Sequence, residues 1–146
     1  MKKTIVSLSL MLAVGFTAFA ADEPIVNEKI RASFKKEFAA AQLITWTVTG
    51  DYLKATFLLG SHRAEAYFSE DGKLEGCARN LFYDQLPLVV MTSIDSRYNG
   101  AVILDVREVV NDDGTVYRLT LEFNGKKYRI KVNTGGSIIE SERLKK

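Results

Sequence analysis

"DQLPLVVMTSIDSRYNG", residues 84–100, decides how this 146-residue chain is organised. It is an apolar run with helical spacing, set among segments that alternate as strands do. Leu86, Val90, Ile94 and Tyr98 recur every four residues, which puts them on one side of a helix. Asp84 suits a cap, Pro87 is tolerated in a first turn, and Gly100 can end the helix in a left-handed conformation. The spacing therefore predicts a helix over 84–100.

Upstream, "PIVNEKIRASFKKEFAAA" repeats this pattern. Val26, Ile30, Phe34 and Phe38 share one helix side, Lys29, Arg31, Lys35, Lys36 and Glu37 occupy the others, and Pro24 suits the first turn. A helix is predicted over 24–41. The period then changes to two. Ile44, Trp46 and Val48 alternate with Thr45, Thr47 and Thr49, and the turn signals Gly50-Asp51, "GSH" and Glu70-Asp71-Gly72 separate four short strands up to Arg79. Downstream of 84–100 the same texture returns. "AVILDVREVV" reads as an apolar strand. "TVYRLTLEF" and "KKYRIKV" alternate about Asn124-Gly125, the preferred two-residue hairpin turn. "SIIES" closes the series.

The two helical patterns stand sixty positions apart, and the hairpins "YLKATFLLGSHRAEAYF" and "YRLTLEFNGKKYRIKV" about sixty-five apart, Tyr52 meeting Tyr117 and Gly60 meeting Gly125. The expectation is an α+β fold. Tandem duplicated helix-plus-antiparallel-meander units, over about 24–80 and 84–146, would form one sheet with two helices on one face.

The N-terminus reads as a secretory signal peptide over 1–20. Lys2 and Lys3 form the charged region, Ile5 to Phe19 the apolar segment, and "AFA" at 18–20 the cleavage residues. The apolar run is shorter than the roughly 20 residues of a spanning helix. The expected mature chain, 21–146, is one domain with no membrane span, in the periplasm or secreted. Removing Lys2 and Lys3 takes the 20 basic residues to 18 against 18 acidic ones, so the mature charge is close to zero. That removes the electrostatic support for a nucleic-acid partner.

Three stretches carry a resemblance: "ATFLLGSHRAEAYFSEDGKLEG" (55–76), "LPLVVMTSIDSRYNGAVILDVREV" (86–109) and "GKKYRIKVNTGGSIIE" (125–140). With Trp46 after the first helix, they resemble PepSY-like proteins grouped with the β-lactamase-inhibitor-like (BLIP-like) fold. The resemblance implies a small exported bacterial protein with a sheet surface used for protein contact in the inhibitor relatives. It supplies no catalytic residue and no inhibitory loop.

Chemistry is sparse. His62 is the single histidine, and "GSHRAE" offers it only Glu65 nearby, too little for a metal site. No nucleophile elbow accompanies it. Cys77 is the single cysteine, so no intrachain disulfide forms, and it reads as a small half-buried residue. The acidic pairs Glu70/Asp71 and Asp112/Asp113 precede glycines and are explained by turns. An enzyme is thus the weakest class, and no cofactor is expected. If the helices cover one sheet face, alternate residues stand on the other: Tyr52, Lys54, Thr56, Arg63, Glu65 and Tyr67, then Arg118, Thr120, Glu122, Lys127, Arg129 and Lys131. Tyrosine and arginine combine contact area with directional hydrogen bonding, as interface anchors do. Tyr52, Lys54, Arg63, Glu65, Tyr67, Arg118, Lys127 and Arg129 are therefore the expected protein-binding residues. The expected function is a non-enzymatic binding protein, an inhibitor or envelope modulator, whose partner is an envelope or secreted protein. The alternative is a carrier of a small ligand or peptide in a pocket near Trp46.

Overall fold

The computed structural model describes residues 22–145, so the expected signal peptide at 1–20 lies outside the described residues. The elements follow in the order α1 (Glu28–Glu37), β1 (Gln42–Thr49), β2 (Tyr52–Leu59), β3 (His62–Phe68), β4 (Leu74–Asn80), a 3-10 turn (Tyr83–Gln85), α2 (Leu88–Arg97), β5 (Val102–Asn111), β6 (Gly114–Phe123), β7 (Lys126–Asn133) and β8 (Ile138–Arg143). All eight strands join one antiparallel sheet in chain order, β1 to β8.

The expected α+β class, with tandem helix-plus-antiparallel-meander units forming one sheet with two helices on one face, is corrected. Strands hold 52% of the described residues, whereas the α-helices are two segments of ten residues each, so the protein is mainly β. Both helices are shorter than the spacing predicts, for local reasons. Pro24 lies ahead of α1 and not in its first turn, because Asn27 caps the helix: its side chain accepts a hydrogen bond from the Ile30 N–H at 2.9 Å. α1 ends at Phe38, ahead of the alanines that extended the predicted helix. In α2 the proline decides. The residue before a proline avoids helical geometry, and Leu86 (ψ 151°) and Pro87 (ψ 141°) are both extended. Asp84 therefore lies in a separate 3-10 turn, and α2 begins only at Leu88.

The helix-bearing face is the core. Val26, Ile30 and Phe34 pack on Ala55, Phe57, Ala64, Ala66 and Phe68; Leu86, Val90, Ile94 and Tyr98 pack on Val106, Tyr117, Leu119, Leu121, Ile130 and Val132. Cross-strand pairs join the two clusters on one side of the sheet: Ala55 faces Ala66, Ala66 faces Cys77, Cys77 faces Val110 and Val106 faces Leu119. Each helix start docks on a turn made tight by a glycine of positive φ. A Cβ on Gly72 (φ 85°) would meet the Lys29 backbone at 3.0 Å, and one on Gly136 (φ 87°) would meet the Val89 carbonyl at 2.8 Å. Asn124 and Gly125 both take positive φ (50° and 70°), the geometry of a type I′ hairpin turn between β6 and β7.

Candidate functional site

The second face of the sheet carries no helix. Registers place all eight expected site residues on it. Lys54 lies opposite Tyr67, Leu58 opposite Arg63, and Thr49 opposite Tyr52. Glu65 faces Ala78, Ala78 faces Val109, and Arg107 faces Arg118. Thr120 lies opposite Arg129 and Glu122 opposite Lys127. The alternation read in the sequence follows from the pleat, since cross-strand partners share a face.

The centre of this face is an ion pair between a buried carboxylate and a half-buried arginine that sequence reasoning missed. Glu65 is only 9% exposed. The Arg107 Nη2 donates to its Oε2 at 2.6 Å, and the Tyr67 hydroxyl donates to the same oxygen at 3.0 Å. Arg107 stands on β5 and Glu65 on β3, so the guanidinium reaches diagonally across β4, where the buried Ala78 lies opposite Glu65 and Asn80 opposite Arg107. A larger side chain at 78 would stand in that path. Burial pushes the Glu65 carboxyl up, but the hydrogen bond and charge of Arg107, followed by Tyr67 and Lys54, outweigh it and hold the pKa below its ordinary value. Burial, then Glu65, pushes the Tyr67 phenol up, so it remains a donor at neutral pH.

Around this centre the face is rich in cations. Arg63 approaches Glu65 at 4.0 Å, Arg129 approaches Glu142 at 3.8 Å, and Lys131 approaches Glu140 at 3.3 Å. Among the described residues Lys54, Arg118 and Lys127 form no ion pair. Tyr52, Tyr67, Gly76, Val109 and Arg118 share one shallow depression of about 570 Å³, which brings the tyrosines of β2 and β3 beside the arginine of β6. Lys127 does not join them; it lines a separate depression with Lys126, Arg143 and Lys145 at the end of the sheet. Leu58, opposite Arg63, stands on this face as well and is half-buried.

The residues weighed for chemistry lie elsewhere. His62 opens β3, half-buried, with Nδ1 3.0 Å from the Asn80 carbonyl oxygen and its ring beside Phe82. No group of three or more metal-ligating side chains occurs among the described residues. Cys77 is half-buried on the helix-bearing face, and burial, then Glu108, pushes its thiol up, which makes it a poor nucleophile at neutral pH. Near Trp46 the rings pack on one another, Phe34 5.2 Å from Trp46 and 5.1 Å from Phe57, and Phe38 4.9 Å from Phe57, and an open groove of about 600 Å³ runs along Phe34, Phe38, Ile44 and Trp46.

No protein-family model matches the chain, and no curated protein matches it in sequence. Solved structures do match the fold. A BLIP-like protein from Bacteroides fragilis is 25% identical, with a TM-score of 0.75 over 83% of this chain and 88% of that one. A DUF2874 family protein from Bacteroides uniformis is 18% identical, with a TM-score of 0.76 over 82% of this chain and 90% of that one. A protein from Bacteroides eggerthii described as "putative periplasmic" is 16% identical, with a TM-score of 0.76 over 82% and 90%. The chain thus has a fold like that of the BLIP-like and DUF2874 proteins. No helix among the described residues is long and apolar enough to cross a membrane.

Proposed function

We propose that this protein is an exported, non-enzymatic binding protein that contacts another protein through the open face of its sheet. It works in the periplasm or outside the cell, as an inhibitor or an envelope modulator. The observation that carries this reading is the depression over Gly76, where Tyr52, Tyr67 and Arg118 converge. A glycine floor with two tyrosines around it, and an arginine that forms no ion pair among the described residues, can seat a side chain of the partner, and these are anchor residue types. The Glu65–Arg107 pair beneath fixes Tyr67 through its hydroxyl. The similar fold of a BLIP-like protein supports the reading, as does the "putative periplasmic" description of another structural neighbour. A finer affinity with PepSY-like proteins rests on the Leu86-Pro87 and Tyr98-Gly100 motifs.

The test is a crosslinking pull-down from the native envelope with residues 21–146, compared with the same chain bearing Arg63→Glu and Tyr67→Ala. One stoichiometric protein partner, recovered with the first and lost with the second, is expected. Equal recovery by a folded variant removes this face from consideration. A blank with a small molecule co-purifying instead would shift the reading to a carrier.

A further inference from the structure

The strands pair antiparallel in chain order, so successive turns fall at opposite ends of the sheet. The turns after β1, β3, β5 and β7 share one end and hold Asp51, Glu70, Asp71, Asp112 and Asp113. Lys73, a cation at that end, is paired with Glu75 and Asp112. The turns after β2 and β6 share the other end, and Gly60-Ser61 and Asn124-Gly125 bring no acid to it. There Lys126, Lys127, Arg143 and Lys145 line one depression of about 840 Å³, with Glu122 as the single acid in its lining. All four cations are exposed, and none forms an ion pair among the described residues. Both helices start at the acidic end, on the Gly72 and Gly136 turns, so their basic last turns point toward the same cations. The near-neutral chain is therefore strongly polar along its strands.

The basic end also exposes large apolar side chains. Phe82, 70% exposed, follows β4, and its ring stands beside His62 at the start of β3. Val102, 59% exposed, starts β5 opposite Glu122 of the basic depression. Leu43, 77% exposed, lies at the start of β1 with a φ of 50°, a left-handed conformation that strains a leucine. These side chains come from separate strands. At about 4.8 Å per strand, Leu43 and Val102 stand about 19 Å apart. They project singly and do not close a pocket between them. A folded partner would need a matching hollow for each, whereas a fluid medium admits each on its own.

We propose that this end of the sheet docks on an anionic lipid surface, its cations on the phosphate headgroups and Leu43, Phe82 and Val102 entering the headgroup region. The two features together select this occupant. A cluster of four lysines and arginines is attracted to anionic headgroups without any fitted site. Apolar side chains beside the cations then gain burial at the headgroup boundary, which a dissolved phosphate or a nucleic-acid backbone does not offer. The acids at the far end are repelled by the same surface, so the charge separation sets the strands upright on it. The open face is then left free, and the contact uses neither Tyr67 nor Arg118. The proposal shares with the function proposed above only the export of the chain, which brings it to the lipid surfaces of the envelope.

Flotation of residues 21–146 with lipid vesicles tests it. At about 0.1 M salt, vesicles of phosphatidylcholine and phosphatidylglycerol in equal parts are expected to bind the chain at least about tenfold more tightly than phosphatidylcholine alone, and to release it at about 1 M salt. Lys127→Glu with Arg143→Glu is expected to weaken binding at least about tenfold. Phe82→Ser is expected to weaken it severalfold with the salt dependence kept. Lys29→Glu with Lys73→Glu makes the same change in net charge at the acidic end. That end lies roughly 25 Å away, beyond the roughly 10 Å over which charge acts at this salt, so binding is expected to stay within about twofold of the parent. Circular dichroism confirms each fold, and Lys127→Gln with Arg143→Gln replaces the charge reversal if that variant does not fold. Equal binding to the two vesicle types, or none to either, would overturn the proposal. So would binding that survives the Lys127 and Arg143 changes, a loss as large from the Lys29 and Lys73 changes, or a Phe82→Ser chain that binds like the parent. Release by inorganic phosphate at constant ionic strength would assign the cations to a free anion and overturn it as well.

Discussion

Phe34→Ala is expected to lower the free energy of unfolding by about 3–5 kcal/mol, the range for removing a buried phenylalanine. Phe34 is the hub of the aromatic cluster, with ring centroids 5.4 Å from Phe38, 5.2 Å from Trp46, 5.1 Å from Phe57 and 6.2 Å from Phe68. α1 has ten residues, too few to persist alone in water. It is held by Val26, Ile30 and Phe34, and the sheet beneath it presents small residues at Ala55, Ala64 and Ala66. Those alanines make room for the ring and cannot refill the space it leaves. Chemical denaturation followed by the emission of Trp46, the single tryptophan, measures the loss directly. Phe34→Leu should recover most of it. A loss below about 1 kcal/mol for Phe34→Ala would mean that the site collapses and that the cluster does not anchor α1.

Arg107→Ala is expected to cost about 2–3 kcal/mol at neutral pH, because it strands the Glu65 carboxylate at a buried position. The sign with pH is specific. The Glu65 pKa is depressed in the folded state, so the stability it contributes is present above the ordinary value of 4.5 and is lost as pH falls through the folded pKa. Without Arg107, burial raises the Glu65 pKa. Protonation then relieves the stranded charge, and the gap between parent and variant should close as the pH falls from the variant's raised Glu65 pKa through the parent's depressed one. Glu65→Gln should cost less than Arg107→Ala, because the glutamine can still accept from Arg107 and the guanidinium is about a third exposed, although its Nε is buried without a partner. The double variant should be more stable than the sum of the two losses predicts. A gap of constant size from neutral to acidic pH would show that Arg107 acts by packing alone.

Much of the open face is legible in the sequence because the strand period is two. Tyr52, Lys54, Arg63, Glu65 and Tyr67 fall on one side as soon as their strands are recognised, and Asn124-Gly125 fixes the phase of Arg118 against Lys127 and Arg129. The helix faces are legible for the same reason at a period of 3.6: Val26, Ile30 and Phe34, and Leu86, Val90, Ile94 and Tyr98, are all buried. The lengths of the helices are not. Alanine propensity extends α1 on paper past Phe38, and Pro87 separates Asp84 from α2. The Glu65–Arg107 pair is invisible for another reason. Its partners are 42 positions apart on strands that are not adjacent, and in β5 the charges Asp105, Arg107 and Glu108 are interspersed among apolar residues without a clean alternation. Its register shift between Ile103 and Asp105 also breaks the alternation that would have assigned Arg107 to a face. The small residues Gly76 and Ala78 on β4 are the one local trace of it.

The most direct test of the open face as the binding surface is site-specific photocrosslinking in the native envelope. A photoreactive residue replaces Tyr67 or Arg118 on the open face, and Lys36 or Thr92 on the helices. All four variants must first show the parent's unfolding transition. The account predicts one protein adduct of the same mass from positions 67 and 118 and none from 36 or 92. Adducts from the helix positions, or equal labelling from both sides, would contradict it.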